Sequence, residues 1–223
     1  MNTKKGIFIS FEGGEGCGKT TQIRKLAGFL KERGHEVVTT REPGGTHEAE
    51  KIRELLVQRE GGNWSETAEC LLFFAARAMH VRDLIKPALS EGKIVLSDRF
   101  TDSTRAYQSY GHGFPLSTVE QVKELSIGDF EPDLTLILDI EPITGIERSE
   151  RRLTENSAPD LESTEDRFER LDLSFHKSLR QGYLEIAADN PERCKVLDAN
   201  QGIEELAGQI GNIVLEKLED ESI

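Results

Sequence analysis

Gly13-Gly14-Glu15-Gly16-Cys17-Gly18-Lys19-Thr20 follows directly on the apolar run Gly6-Ile7-Phe8-Ile9-Ser10-Phe11-Glu12. It fits G-x-x-x-x-G-K-[ST], in which the N–H groups of a glycine-rich loop surround phosphates, the lysine reaches the terminal phosphates and the Ser/Thr hydroxyl meets magnesium. Both flanks agree with the pattern. A short β-type run leads in, and Ile23, Leu26, Ala27 and Leu30 recur at helical spacing on the way out. Strand, loop and helix in that order direct unpaired N–H groups and the positive end of the helix dipole to one point where an anion can sit. A glycine-rich turn that spelled the pattern by chance would need neither flank. Gly13, Gly14, Glu15, Gly16, Cys17, Gly18, Lys19, Thr20 and Thr21 are therefore the candidate nucleotide-phosphate contacts.

Outward from this loop, strand and helix patterns alternate. A helix is expected from Lys19 to Arg33, stopped at Gly34, then a strand at Glu36–Thr40 and a loop at Arg41-Glu42-Pro43-Gly44-Gly45. Thr46 to Arg59 reads as a helix. A longer one, capped by Ser65, runs towards Leu89, with a kink or a loosened last turn at Pro87. Lys93–Ser97 is a short buried-type strand with Asp98-Arg99-Phe100 at its end, followed by a polar helical segment from Thr101 to Tyr110. A helix from Ser117 to Ile127, a strand at Asp133–Asp139 and a helix from Pro142 to Arg152 come next. Leu153 to Asp166 is polar and acidic and reads as a mobile loop. Phe168, Leu171, Phe175, Leu179, Tyr183 and Ile186 predict a helix from Thr164 to Ala188, before a fifth strand at Cys194–Asp198 and a closing helix from Ile203 to Leu218. Such alternation implies one α/β domain over residues 1–223: a five-stranded parallel sheet with helices on both faces and all strand ends on one edge, where ligands bind.

The chain has 223 residues, enough for one domain with a full core, and a net charge of −13, which disfavours nucleic acid or anionic membrane as a partner. An anionic substrate must then be held by local cations. Three well-separated cysteines suggest neither a disulfide framework nor a zinc site, and the thiols are expected to be reduced. No stretch has the length of a membrane span or of a signal-peptide apolar region, so a cytoplasmic location is expected. The five histidines show no ligand spacing.

Phosphoryl transfer asks a protein for alignment and for cations against spreading negative charge. Lys19 would bridge the β- and γ-phosphates and Thr20 would hold Mg²⁺. Asp98, at a strand end, is either a further carboxylate on the magnesium or a helix N-cap. Arg41 and Arg99 are planar forks suited to bidentate phosphate contacts, and their placement at strand ends favours a second phosphate site facing the first. Phe73 and Arg77 share a helix face, so a flat base could stack on the ring and bond to the guanidinium; on spacing alone Leu71 to Phe74 could equally all be core. Arg148, Arg151 and Arg152 are either a solvated charged face or the cations of a lid, spanning about 148–166, that closes on the transferring phosphoryl group.

Phe11-Glu12-Gly13 with Glu15 in the loop, Thr40-Arg41-Glu42-Pro43-Gly44-Gly45-Thr46, Leu72-Phe73-Phe74-Ala75-Ala76-Arg77, Asp98-Arg99-Phe100, Ala106-Tyr107-Gln108, Gly128 to Leu134 and Tyr183 to Ala187 together resemble the thymidylate kinase family, in its bacterial form, over nearly the whole chain. The resemblance implies a nucleoside monophosphate kinase fold, transfer of the ATP γ-phosphate to dTMP for dTTP synthesis, and a homodimer formed through helices. By position it implies that Glu15 meets the deoxyribose 3′-hydroxyl, Phe73 stacks on thymine, Arg77 bonds to it, and Arg41 and Arg99 hold the dTMP phosphate. Tyr107 would exclude a ribose 2′-hydroxyl, with Ser103, Thr104 and Gln108 near the base. The loop lacks arginine, so catalytic arginine is expected in the lid among Arg148, Arg151 and Arg152. The chain departs from the family in Phe100, where Tyr or His is common, and in a longer, more acidic lid containing Asp160, Glu162, Glu165 and Asp166. Another P-loop kinase is the nearest alternative; a GTPase switch would need N-K-x-D and D-x-x-G stretches that do not occur in the expected places.

Overall fold

The structure, a computed structural model, describes residues 6–58, 62–156, 167–168 and 171–220. Residues 157–166, on which most of the expected lid falls, and the side chains of residues 152–156 lie outside the described residues.

Strand β1 (Ile7–Glu12) is buried along its whole length and is the central strand of the sheet. It feeds the glycine loop and helix α1 (Lys19–Glu32), which ends where Gly34 takes a φ of 86°. After β2 (Val37–Arg41) come α2 (His47–Val57), capped by the Thr46 hydroxyl, and α3 (Glu66–His80), capped by the Ser65 hydroxyl. A wide π-helical turn, Val81–Ile85, links α3 to α4 (Lys86–Ser90). The loosening expected near Pro87 thus lies in the turn before the proline, where the missing N–H and the ring disturb the helical ladder.

Strand β3 (Ile94–Asp98) leads into the short α5 (Thr101–Thr104) and a second π-helical segment, Arg105–Gly111. This segment was expected to be polar and is, yet Thr101 to Thr104 are all buried. Then follow α6 (Leu116–Ile127), β4 (Leu134–Asp139) and α7 (Pro142–Asn156), so the first part of the expected lid is helical. Helix α8 (Leu173–Asp189) begins later than the apolar period suggested, because Asp172 accepts the Phe175 N–H at 2.8 Å and caps it. Phe168 and Leu171, counted into that helix by spacing, instead precede it and pack on its core cluster. Strand β5 (Cys194–Asp198) and α9 (Ile203–Asp220) complete the chain.

The strands run parallel in the order β2-β3-β1-β4-β5. Alternation along them divides the core between the two faces. Ile7, Ile9, Phe11, Leu96, Leu136 and Leu138 meet α1 and α9 on one side. On the other, Phe8 and Val95 pack with Val81, Ile85 and Phe100, and Ile137 packs with Leu179 and Tyr183 of α8. Since β1 pairs with β3 so that Phe11 lies opposite Asp98, the glycine loop and the Asp98-Arg99 turn leave the sheet side by side.

Helix α7 closes against the glycine loop. A Cβ on Gly145 would run into the carbonyl oxygen of Glu15, and one on Gly16 into the carbonyl oxygen of Gly145. Both obstacles are backbone, which cannot turn aside. Gly145→Ala is therefore expected to lower stability by about 1–3 kcal/mol through overpacking, read as a lower urea midpoint; an unchanged midpoint would show that helix and loop separate without cost.

Candidate active site

A cavity of about 360 Å³ opens at the carboxyl edge of the sheet, within the size range of small-molecule sites. Its phosphate end is the glycine loop. Gly18 takes a φ of 93° immediately before α1, a left-handed conformation that glycine adopts at no steric cost. Lys19 folds back over the loop and donates to the carbonyl oxygens of Gly13 (3.1 Å) and Gly14 (3.0 Å), with Cys17 Sγ at 3.5 Å. Thr20 donates to Asp98 Oδ2 at 3.1 Å. Asp98 is thus a neighbour of the Thr20 hydroxyl, and the N-cap alternative falls: the residue before α5 is Phe100, with no side-chain cap.

Arg99 adopts a φ of 73°, a conformation that costs about 1–3 kcal/mol for a side chain of this type. Its neighbours hold it there. The Arg99 N–H donates to Phe11 O at 2.9 Å, Ser97 Oγ donates to Arg99 O at 2.7 Å, and the Phe100 N–H donates to Glu12 Oε1 at 2.7 Å. The guanidinium then reaches back over the loop, donating to Gly13 O (3.1 Å), Ser103 Oγ (3.2 Å), Tyr183 Oη (3.2 Å) and Glu15 Oε1 (2.8 Å).

Glu15 Oε1 also accepts the Tyr107 hydroxyl at 2.6 Å. Burial acts to raise the Glu15 pKa, but Arg99, Lys19 and the Tyr107 hydrogen bond outweigh it and hold the group at about 2. Glu12, at the end of β1, shows the opposite balance. It accepts from Ser103 Oγ (2.6 Å), Tyr183 Oη (3.2 Å) and the Phe100 N–H, yet burial and then the nearby Asp102 charge push its pKa up to about 7.

At the other end of the cavity Phe73 is half-buried on the wall, while Phe74 belongs to the core with Cys70 and Val119 and Leu71 is 48% exposed. The four residues from Leu71 to Phe74 are thus not all core. Arg77 lines the same wall. It donates through Nε to Glu42 Oε2 (2.7 Å) and through Nη2 to Phe100 O (3.1 Å) and Thr104 Oγ1 (3.0 Å), and its buried Nη1 has no partner among the described residues. Gln108 donates to Glu69 Oε1 at 2.9 Å, and Glu69 pairs with Arg167 at 2.5 Å.

The cavity thus gathers Glu15 to Thr21, Arg41, Phe73, Arg77, Asp98, Arg99, Ser103, Thr104, Tyr107, Gln108 and Arg148. Arg41 is more than half exposed and pairs with Glu50 at 3.2 Å. Gly13 and Gly14 face a small neighbouring hollow instead. Among the lid arginines, Arg148 borders the cavity and donates to Ala199 O at 2.9 Å; Arg151 is exposed away from it, and the side chain of Arg152 lies outside the described residues. Glu12, Glu42, His80 and Phe168 were missed from sequence. For Glu12 the signal was a carboxylate at the end of an apolar strand, and for Glu42 a carboxylate directly after a strand. Phe168 carried a helical period only, and His80 carried none.

The model of the thymidylate kinase family matches residues 11–210. Thymidylate kinase of Caulobacter vibrioides is 47% identical over 96% of this chain and 98% of its own, and that of Syntrophotalea carbinolica 47% identical over 92% and 93%. The crystal structure of thymidylate kinase from Ehrlichia chaffeensis superposes with a TM-score of 0.74 at 35% identity, covering 95% of this chain and 99% of that one.

Burial of Glu12 carries a test. A carboxyl group whose folded pKa lies above its ordinary 4.5 adds stability that is fullest below that value and is lost as pH rises through about 7. Urea midpoints of the unaltered protein relative to Glu12→Gln should therefore fall as pH is raised from about 5 to 8; a constant difference would show that the group titrates in its ordinary range.

Proposed function

The chain belongs to the thymidylate kinase family, and from that premise we infer that it phosphorylates dTMP to dTDP with ATP as donor, a step of dTTP synthesis. The observation that carries the acceptor assignment is Arg77 Nη1, a buried donor without a partner among the described residues, on the same wall as Phe73. A pyrimidine stacked on Phe73 with a carbonyl towards Arg77 satisfies that donor, and leaving it unmet would cost about 1–3 kcal/mol.

The remaining roles follow from position. Lys19 exchanges the Gly13 and Gly14 carbonyls for phosphate oxygens of the donor, and the loop N–H groups hold the rest of the chain of phosphates. Arg99 and Arg41 hold the dTMP phosphate. Tyr107 and Arg99 both bond to Glu15 Oε1, which leaves Oε2 to accept the sugar 3′-hydroxyl. Glu15 stays ionised at neutral pH because its pKa is held at about 2. Oxygen donors suit Mg²⁺, and Thr20 Oγ1 beside Asp98 Oδ2 is a fitting pair to hold it or its waters. A bound magnesium ion neutralises phosphate charge and orients the donor. An oxygen of the acceptor phosphate attacks the γ-phosphorus in line as the bond to the β-phosphate oxygen breaks, and cations facing the equatorial oxygens lower the barrier. Arg148 is the lid cation we assign to that task, because it already borders the cavity.

We take residues 1–223 to be one kinase domain with its lid at about 148–166, acting in the cytoplasm; no described helix is long and apolar enough to cross a membrane. We assign a homodimer, because α2, α3 and α6 lie side by side and carry Leu55, Leu71 and Leu125 exposed at 45%, 48% and 87%.

A coupled assay with MgATP and a panel of dTMP, dUMP, thymidine, GMP and CMP tests the acceptor. The expected result is dTMP clearly first, and any other leading acceptor refutes the assignment. Lys19→Ala should lower kcat by roughly 10²–10³-fold or more, with thermal melting little changed; a collapsed fold without a specific catalytic loss would make Lys19 a structural residue.

A further inference from the structure

A line of polar side chains runs from the edge strand β2 to the acceptor end of the cavity, and the chemistry described above uses only its last member. Thr40 Oγ1 lies 2.7 Å from His80 Nε2, His80 Nδ1 lies 2.8 Å from Glu42 Oε1, and Arg77 Nε donates to Glu42 Oε2 at 2.7 Å. The side chains of His80, Glu42 and Arg77 are 0%, 3% and 2% exposed. A carboxylate only accepts, so Nδ1 of His80 carries a proton and donates it to Glu42. The loop after β2 is shaped to this line: a Cβ on Gly45, whose φ is 87°, would come within 2.5 Å of His80 Nε2 and 2.6 Å of Thr40 Oγ1.

The consequence falls on Arg77. Glu42 fixes its Nε, and Phe100 O and Thr104 Oγ1 fix its Nη2, so the guanidinium plane cannot turn. Nη1 is left as a buried donor without a partner among the described residues, on a side chain that lines the cavity. We propose that Glu42, itself oriented by His80, is a positioning residue that sets the base preference of the acceptor site by locking Arg77 with Nη1 towards the base. The proposal rests on the thymidylate kinase reading of the cavity. A pyrimidine with a carbonyl at that edge pairs with the fixed donor. One with an exocyclic amine there sets N–H against N–H and leaves a buried charged donor unpaired, the arrangement that discriminates most strongly. A guanidinium released by Glu42 can tilt away from the amine, so the penalty on the wrong base shrinks while the right base loses its aligned partner.

The test compares kcat/KM for dTMP and dCMP in the unaltered protein, Glu42→Gln and His80→Asn, each first shown to be folded by its thermal melt. In Glu42→Gln the dTMP-over-dCMP ratio should fall by about tenfold or more, the worth of one charged hydrogen bond, through KM for dTMP with KM for ATP unchanged. His80→Asn keeps a side-chain amide near Glu42 but loses the reach to Thr40, and should move the ratio the same way by less; should Glu42→Gln not fold, this variant decides. Equal proportional losses on both acceptors, or an unchanged ratio, would overturn the positioning role. An unaltered protein without a preference for dTMP would instead overturn the acceptor assignment, and this proposal with it.

Discussion

The geometry of the site depends on the buried Glu12 carboxylate. It ends the central strand and accepts the Phe100 N–H and the Ser103 hydroxyl, from a turn 88 and 91 residues further on. That turn places Arg99 in a left-handed conformation and folds its guanidinium back over Gly13 and Glu15. Neither component is favourable by itself. A buried carboxylate is costly unless it is hydrogen-bonded, and a positive φ on arginine stores strain. The surrounding core supplies the offset: Phe100, in the turn itself, meets Phe8 edge to face at 4.8 Å, and both are fully buried. Stability built in the sheet is thereby used to hold a cation where the sequence, left to local preference, would not put it.

An acidic chain can hold two polyphosphate or phosphate groups for the same reason. A net charge of −13 is spread over the whole chain, whereas Lys19, Arg41, Arg99 and Arg148 converge on one cavity. In water the distant carboxylates are screened within about 8–10 Å, while charges at a partly desolvated site interact strongly. The buried cations are also not interchangeable. Arg99 is shared between Glu15 and the Gly13 carbonyl, and Arg77 is tied to Glu42. Each pairing costs desolvation and returns orientation, so what the site gains is direction rather than charge.

Much of this was legible in the sequence because the decisive features are contiguous. The glycine loop, its strand and its helix occupy one unbroken stretch, and four further apolar runs mark the remaining strands. Arg41, Asp98 and Arg99 could be placed on the ligand edge from their strand-end positions alone. What was not legible depends on partners far away in the chain. Glu42 becomes meaningful only when Arg77 and His80 arrive 35 and 38 residues later, and no spacing rule links them. Periodicity also cannot say whether an apolar face meets core or cavity, which is why Phe73 and Phe74 looked alike. The late start of α8 has a related cause: Phe168 and Leu171 keep the helical period, but Asp172 satisfies the first N–H groups and sets the boundary.

The glycine loop and the Asp98-Arg99 turn are held in register by a single pair of strands. Phe11 of β1 lies opposite Asp98 of β3, so the glycine loop and Arg99 leave the sheet one strand spacing apart, and Thr20 reaches Asp98 across the same gap. Parallel strands are joined by an evenly spaced ladder of hydrogen bonds, so the separation of the glycine loop from the Asp98-Arg99 turn is set by the sheet rather than by either loop. Phosphoryl transfer needs that distance to be short and its direction in line, and it needs the approach on the remaining side to change between substrate entry and reaction. In this structure Gly145 of α7 rests on the Glu15 carbonyl and Arg148 of α7 is anchored to Ala199 O. The sheet therefore fixes the loop and the turn relative to each other, while α7 packs on the loop from a different side.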